Sequence, residues 1–410
     1  MKVIFIPALA LTAATLLIAL LVWLGFKLAH RPFERFWPRV LWIHLGLLVL
    51  HTVVVVPVGL GALTSTIVHT RPDEQSYRGP RIAADGTWLG QTRETLSTEE
   101  ATRTGMPAQP FTDEKTGELK VPVAGVPGAG ITDKAELAKL DQTAEKLRIS
   151  MKSADGLPLR GFLVPARMPP RFGAVCVHGL FRSAFELETV GSMLRDLGGE
   201  VLLLEYRNHG GSGRATATFG TGESRDVAAA LAVMRDWPRT RERPLVLFGV
   251  SLGTVAAALA APDAPRLAAL ILDAPIDDLH AAGDRMLEGF AARRNQGPTL
   301  PAPIRSLMLF GAGTFGGVDF DHADVRGALS RLPKSVAVLL VSAGQDDRVP
   351  VDSVRAMYDR LPTDPAKKDL WIVPDAKHGK VWEVDPAGYR ALLEQILERA
   401  LGPKSAGTPH

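Results

Sequence analysis

The residues best suited to chemistry lie in the pentapeptide Gly249-Val250-Ser251-Leu252-Gly253. An apolar run at 244–248, typical of a buried strand, precedes it, and an alanine-rich run at 254–261, typical of a helix, follows it. A serine in a G-x-S-x-G turn between strand and helix exposes its hydroxyl at the edge of a sheet, and the flanking glycines relieve crowding in the tight turn. The pattern predicts that Ser251 is a nucleophile.

A serine hydroxyl needs a base to take its proton and an acid to orient that base. In chains with this turn, the acid and then the histidine follow the serine. Here a predicted strand at 335–341 ends in a loop with Asp346 and Asp347, and a strand at 370–373 runs into a loop with His378. Three loops that follow strands thus supply serine, aspartate and histidine in the expected order.

Attack by a serine creates an oxyanion that needs two preorganised N–H donors. The amide of Leu252, at the start of the predicted helix, is one candidate because the helix dipole also favours negative charge there. A strand predicted at 173–177 is followed by a His-Gly pair, and the next amide, that of Leu180, is the other candidate. Ser183 and Glu186 have the spacing of a capping box for a helix that starts in this loop.

Several further motifs surround these residues in a fixed order. They are D-G-L-P-L-R-G-F at 155–162, H-G at 178–179, Y-R-N-H-G-G-S-G at 206–213, F-G at 219–220, an aspartate at 226 and D-A-P at 273–275. With these motifs, residues 147–401 resemble an α/β-hydrolase, in particular the membrane-associated bacterial and eukaryotic hydrolases whose core opens with a D-G-x-x-L-x-G-W-like hairpin. Asn208 departs from the family pattern, which has glycine at that position.

The resemblance implies a Ser-His-Asp hydrolase in which Ser251 is the nucleophile, His378 the base and Asp346 the acid. The Asp-Asp-Arg-Val-Pro segment favours Asp346, whereas the usual spacing measured from Gly344 favours Asp347.

The alternation of strands and helices predicts an α/β fold with a mostly parallel, eight-stranded sheet and helices on both faces. This catalytic domain is expected at 146–402. An insertion at 277–332 follows the sixth strand, and in this fold that position commonly carries a lid over the acyl pocket. The eight strands are expected at 147–153, 159–164, 173–177, 201–206, 245–248, 267–272, 336–341 and 370–373.

Two long apolar stretches, at 3–26 and 40–68, predict a two-helix transmembrane hairpin over residues 1–70. A cleaved signal peptide is the alternative for the first stretch, but its apolar run is too long and no small-x-small cleavage site precedes Lys27. Basic residues in the connecting loop favour a cytoplasmic loop, which places the catalytic domain outside the cytoplasm.

His44 and His51 are seven residues apart in the second stretch and share a helix face. Such a pair could bind haem or relay protons, and the alternative is a pair of histidines hydrogen-bonded within the hairpin or lying near an interface. Residues 71–145 are rich in proline and glycine and predict a linker or covering segment, with a short helix at 134–147.

Composition narrows the function further. A net charge of +3 with no basic stripe does not favour nucleic-acid binding, and the single cysteine, Cys176, excludes an intrachain disulfide and a cysteine-based zinc cluster. No H-E-x-x-H motif is present, so we expect neither a metal nor a cofactor. The oligomeric state is not predicted.

The leading hypothesis is a membrane-anchored serine hydrolase that cleaves an ester or thioester, with lipid-derived acyl groups among the candidate substrates. An acyltransferase with the same triad and a non-enzymatic membrane interaction protein on a hydrolase scaffold are the alternatives. Peptidase activity ranks lower because the sequence has no substrate-gating domain.

Overall fold

The computed structural model describes residues 23, 27, 36–67, 94–97, 111–112, 119–123, 147–180, 182–293 and 300–402. The first predicted span (3–26, apart from Trp23) and the predicted helix at 134–147 (apart from Leu147) lie outside the described residues. The chain divides into two compact units, one of Met1–Thr66 with Leu287–Val318 and one of Ile67–Met286 with Asp319–His410.

The larger unit contains an eight-stranded sheet in the order β11-β10-β9-β8-β6-β7-β5-β4. Strands β6 to β11 run parallel, and β5 pairs antiparallel with both β4 and β7. Each of the eight predicted strands is present. Their bounds are β4 Arg148–Lys152, β5 Pro158–Val164, β6 Phe172–Val177, β7 Gly199–Glu205, β8 Leu245–Val250, β9 Leu267–Asp273, β10 Ala337–Ala343 and β11 Lys368–Val373.

The central strands are mostly apolar because both faces of the sheet are covered. Every residue of β6, β7, β8 and β10 is buried. Helices α3 (Glu188–Asp196) and α11 (Pro386–Leu401) contact one another, as do α4 (Thr221–Asp236) and α5 (Leu252–Ala260). The other helices of the described part are α6 Leu279–Arg293, α7 Ala302–Thr314, α8 Val325–Ser330, α9 Val351–Arg360 and α10 Val381–Val384.

The second predicted span is helical. Helix α1 (Phe36–Leu50), a π-helical turn (His51–Val55) and α2 (Val56–Ile67) follow one another without a break. Pro57 explains the turn, because proline lacks an N–H and its ring displaces the carbonyl four residues earlier. Within this helix, Trp42–Ala62 forms a 21-residue segment with a mean hydropathy of 2.2, long and apolar enough to cross a membrane.

Part of the predicted insertion at 277–332 belongs to the smaller unit. Leu287–Val318 forms that unit together with Met1–Thr66, and a lid over the acyl pocket stays a prediction. Direct backbone contacts between α7 and α2 are the physical reason. They join segments far apart in sequence, which no local pattern indicates.

The segment predicted as a linker contains a small antiparallel sheet in the order β1-β3-β2. Its strands are Glu94–Ser97, Phe111–Thr112 and Leu119–Val123. Among the described residues, Pro122 pairs with Thr95, and the described pairs between β2 and β3 end at Lys120. A proline is tolerated in a strand where its nitrogen is not needed as a donor.

Candidate active site

Ser251 occupies the sharp turn between β8 and α5. Its backbone has φ +53° and ψ −122°, a conformation that non-glycine residues rarely adopt. The Ser251 amide donates to the carbonyl of Asp273 at 2.9 Å, and the Ser251 carbonyl accepts from the amide of Thr254 at 2.9 Å. These bonds hold the strained backbone and fix the direction of the hydroxyl.

The glycines of the turn are needed because the backbone is crowded on both sides. A Cβ atom at Gly253 would lie 2.5 Å from the carbonyl oxygens of Val177 and His178, and a Cβ atom at Gly249 would lie 2.6 Å from the carbonyl oxygen of Gly253. The G-x-S-x-G pattern therefore follows from the packing of α5 against β6 and β8.

Three side chains form one hydrogen-bonded line. Ser251 Oγ lies 2.8 Å from His378 Nε2, and His378 Nδ1 lies 2.7 Å from Asp346 Oδ2. With the proton on Nδ1, the imidazole donates to the carboxylate and leaves Nε2 free to accept the serine proton. The structure thus brings together the three residues that the sequence places in separate loops.

The two neighbouring aspartates differ in their contacts. The Asp346 side chain is 1% exposed, and its Oδ1 accepts from the amides of Arg348 and Val349 at 2.9 Å each. Asp347 is 54% exposed and lies 3.8 Å from Arg348 Nε. Burial alone would raise the pKa of Asp346, but the hydrogen bond and charge of His378 and the two amides together lower this pKa. Asp346, and not Asp347, is the carboxylate in contact with the histidine.

The loop after β6 lies beside the nucleophile. A Cβ atom at Gly179 would lie 3.3 Å from the Cβ atom of Ser251. The Gly179 amide donates to Glu186 Oε2 at 2.6 Å, so it is engaged within the loop. Leu180 is the next residue, and Leu252 begins α5, where the first amides have no partner within the helix. The spacing predicts only a capping role for Glu186, whereas the structure shows its carboxylate holding this loop through the Gly179 amide.

A cluster of three rings supports the same loop. The His178 ring stacks on that of Tyr206 at 4.2 Å, and the His209 ring lies 5.0 Å from His178. Tyr206 Oη donates to the Gly179 carbonyl at 3.1 Å, and His178 Nδ1 lies 2.8 Å from the same oxygen. Burial, with the nearby His209, lowers the pKa of His178 well below its usual value, so this ring is neutral. The cluster supports the loop after β6, and no sequence pattern indicated that Tyr206 takes part in it.

A buried carboxyl group adjoins the turn. Asp273, at the end of β9, is fully buried, and its Oδ2 accepts from Tyr389 Oη at 2.9 Å. Burial raises the pKa of Asp273 to about 7, and the charges of Glu186 and Asp346 act in the same direction against the Tyr389 hydrogen bond. Asp273 is therefore neutral in mildly acidic conditions.

This shift predicts a pH dependence of stability. Between pH 4 and 7 folded Asp273 keeps a proton that the unfolded chain has released, so its contribution to the free energy of unfolding falls by up to about 4 kcal/mol as pH rises through this window. Asp273→Asn does not titrate. We therefore expect the free energy of unfolding of Asp273→Asn, relative to the native chain, to increase from pH 4 to 7 and then stay level.

Urea unfolding in detergent at a series of pH values measures this difference, and subtracting the native chain removes the contributions of other groups such as His178. Asp347→Asn, at an exposed position, is the control and should show no such trend. A difference for Asp273→Asn that is constant from pH 4 to 7 would mean that the pKa of Asp273 is ordinary.

The described residues contain no group of three or more histidine, cysteine, aspartate or glutamate side chains that could hold a metal ion. His44 lies in α1 and His51 begins the π-helical turn. Each has one buried ring nitrogen, His44 Nδ1 and His51 Nε2, without a hydrogen-bond partner in the described part of the chain. The structure therefore gives this histidine pair no described ligand or acid partner.

Comparison with known proteins bears on the fold and on the class of enzyme. The family model for serine aminopeptidases of the S33 type matches residues 169–298. The uncharacterized protein YqkD of Bacillus subtilis (strain 168) is 26% identical over 258 residues, which are 62% of this chain and 80% of YqkD. Two crystal forms of the esterase Pf2001 of Pyrococcus furiosus superpose with TM-scores of 0.51 and 0.50 at 21% identity, over 62% of this chain and 91% and 92% of the esterase chains.

The larger unit has the α/β-hydrolase fold, and residues 169–298 match a family model of serine hydrolases with that fold. The chain is an enzyme of the serine hydrolase class. The family match at 169–298 covers strands of the eight-stranded sheet and ends within the segment Leu287–Val318 of the smaller unit. The fold accounts for the strand order, with the serine, the aspartate and the histidine each following a strand at the same edge of the sheet.

Proposed function

We propose that this hydrolase is attached to a membrane and cleaves acyl esters through a covalent acyl-enzyme. The observation that carries the proposal is the hydrogen-bonded line Ser251–His378–Asp346, in which Asp346 is buried and doubly bonded by backbone amides. Such a line raises the nucleophilicity of a serine because the base is oriented and its cationic form is stabilised.

In the first half of the reaction, His378 Nε2 takes the proton of Ser251 as Oγ attacks the acyl carbon. The carbonyl electron pair moves onto oxygen, and the amides of Leu180 and Leu252 bind this oxyanion. Asp346 holds the imidazolium through Nδ1. When the intermediate collapses, His378 gives its proton to the departing alkoxide, which leaves as an alcohol.

In the second half, His378 takes a proton from water, and the resulting hydroxide attacks the acyl-serine. Collapse of the second oxyanion breaks the bond to Ser251 Oγ, which recovers its proton from His378, and the carboxylic acid leaves. A thioester would follow the same steps with a thiol as the first product. An acyltransferase would use an alcohol or amine in place of water.

Amide cleavage is the second candidate, because residues 169–298 match the serine aminopeptidase family. We rank esters first because an alkoxide leaves the tetrahedral intermediate more readily than an amide nitrogen does, so an ester depends less on protonation of its leaving group by His378. The esterase likeness at 21% identity supports the fold and not the substrate.

Membrane attachment rests on the segment Trp42–Ala62, whose 21 residues span about 30 Å as a helix, the thickness of a hydrocarbon core. Several of its large apolar side chains are exposed, Trp42 by 70% and Ile43 by 61%. We extend this to the two-span anchor expected from residues 3–26 and 40–68. The side of the membrane that carries the catalytic unit follows from the earlier charge argument, which favours the outside.

The proposal is tested on the full chain in isolated membranes. After an alkaline carbonate wash we expect the chain in the pellet, labelled by a fluorophosphonate and hydrolysing p-nitrophenyl acyl esters faster than the aminoacyl p-nitroanilides and acyl thioesters tested beside them. Release into the supernatant would contradict the anchor, absence of labelling would contradict the activated serine, and faster anilide cleavage would make the chain an aminopeptidase.

A further inference from the structure

The smaller unit contains a helix pair that the catalytic unit does not use. Helix α7 belongs to the insertion and packs on α2, the C-terminal end of the candidate membrane helix. We propose that α7 is itself a membrane-binding element, held in the interface of a lipid bilayer against α2. The inference rests on the proposed membrane attachment and extends it to a segment more than two hundred residues further along the chain.

The contact between the two helices is made backbone to backbone. A Cβ atom at Gly61 would collide with the backbone of Met308, and a Cβ atom at Gly311 would collide with the backbone of Val58. Each helix thus places a glycine against the main chain of the other. Pairs of helices in membranes associate in this way, since close packing and not the hydrophobic effect stabilises them there.

The surface of α7 suits lipid rather than water. Arg305 is the one charged residue in the helix sequence APIRSLMLFGAGT. Arg305 is 8% exposed and donates to the Leu300 carbonyl at 2.7 Å. The Ser306 hydroxyl is satisfied within the helix by the carbonyl of Ala302 at 3.0 Å. No charge of the helix therefore faces outward, and the exposed aromatic ring of Phe310 is followed by that of Phe315, 6.3 Å away.

Exposed apolar side chains are concentrated in this unit. Among the described residues, the large hydrophobic side chains that are exposed all belong to it except Met168 and Val384. They are Trp42, Ile43, Leu45, Val49, Leu50, Val53, Val55, Leu60, Phe310 and Phe315. Soluble proteins rarely expose an apolar patch of this size, and where they do the patch usually binds a partner. The partner here is the bilayer, because eight of the ten residues lie along a helix of membrane-spanning length.

The contact with α2 also indicates how deep α7 lies in the proposed bilayer. Val58, Gly61 and Ala62 lie in the last two turns of the segment Trp42–Ala62, so the helix they touch is near the end of the hydrocarbon core. With 13 residues, α7 is about 20 Å long and too short to span. Apolar segments of this length are typical of buried core helices or of interfacial and re-entrant helices, and the exposed side chain of Phe310 favours the second group. We infer an interfacial position with Phe310 and Phe315 towards the acyl chains.

The test relies on labelling of an introduced cysteine. The single native cysteine, Cys176, is fully buried and will not react with a surface label. The full chain with Phe310→Cys is labelled with an environment-sensitive fluorophore and placed in phosphatidylcholine vesicles. Nitroxide groups on the lipid then quench labels that lie in the bilayer. We expect strong quenching at position 310, greater with the nitroxide near the headgroup than near the chain end.

Two further labelled variants make the result decisive. Val49→Cys, in the candidate membrane helix, should be quenched more by the nitroxide near the chain end. Val384→Cys, equally apolar and 49% exposed in the larger unit, should not be quenched. Quenching at 49 without quenching at 310 would overturn the inference and leave the anchor intact. Absence of quenching at both would contradict the membrane attachment in the proposed function.

A pair of glycine variants tests whether α2 places α7. Gly61→Leu introduces a side chain where the backbone of Met308 lies, whereas a side chain at Gly59 meets open space. In the Phe310→Cys background, we expect Gly61→Leu to lower the quenching at 310 and Gly59→Leu to leave it unchanged. Unchanged quenching in Gly61→Leu would show that the helix pair does not hold α7 in the membrane.

Discussion

Replacement of Ser251 by alanine should abolish fluorophosphonate labelling and lower ester turnover by about four to six orders of magnitude, because the members of such a triad act as a unit. The Oγ atom that lies 2.8 Å from His378 Nε2 is the only part of the side chain removed. Labelling followed by gel fluorescence, and kcat measured on the ester that the native chain prefers, give the result.

Ser342→Ala is the matched control. Ser342 is also buried, but it lies in β10 and its Oγ has no hydrogen-bond partner in the described part of the chain. Loss of that hydroxyl should leave labelling and turnover as they are. If Ser251→Ala still reacts with the fluorophosphonate, the nucleophile is another residue.

Replacement of Asp346 by asparagine should lower kcat by about 10⁴, close to the loss known for this change in serine proteases. The amide oxygen of an asparagine can still accept from Arg348 and Val349, so its NH₂ group would face His378 Nδ1. The imidazole would then carry its proton on Nε2 and could no longer accept the proton of Ser251. Steady-state kinetics of the ester reaction measures the loss.

Asp347→Asn makes the same chemical change one residue away, at a side chain that is 54% exposed, and should leave kcat within a small factor. The fluorophosphonate labelling rate should follow kcat in both variants. Equal losses of kcat in the two variants would show that the reaction depends on the conformation of the loop and not on the contact between Asp346 and His378.

The sheet and the triad could be predicted because each depends on local pattern. Buried parallel strands are mostly apolar runs, and six such runs became the parallel strands β6 to β11, while the two segments before them became the antiparallel strands β4 and β5. Ser251, Asp346 and His378 each follow such a run, so strand order alone brings them to one edge. The choice between Asp346 and Asp347 needed the structure, because adjacent residues in a loop differ only in where their side chains point.

Contacts between distant segments could not be predicted in this way. The bond from Tyr389 to Asp273 joins a C-terminal helix to a strand end, and neither residue carries a signal for the other. The hydrogen bond from the Gly179 amide to Glu186 was not predicted for another reason. The spacing from Ser183 to Glu186 had already suggested that Glu186 caps a helix, so no second partner was sought. The short strands around Pro122 were missed because proline and glycine dominate the local composition.

The division of the chain also has a consequence for its biosynthesis. Helix α2 leaves the ribosome more than two hundred residues before α7, its packing partner. At a synthesis rate of roughly 5–20 residues per second, α7 is completed roughly 10–50 s after α2. During that interval Gly61 and its neighbours present an open small-residue surface. Under the proposed membrane attachment, the insertion machinery therefore receives α2 without α7, and six of the eight strands of the larger sheet are synthesised before α7.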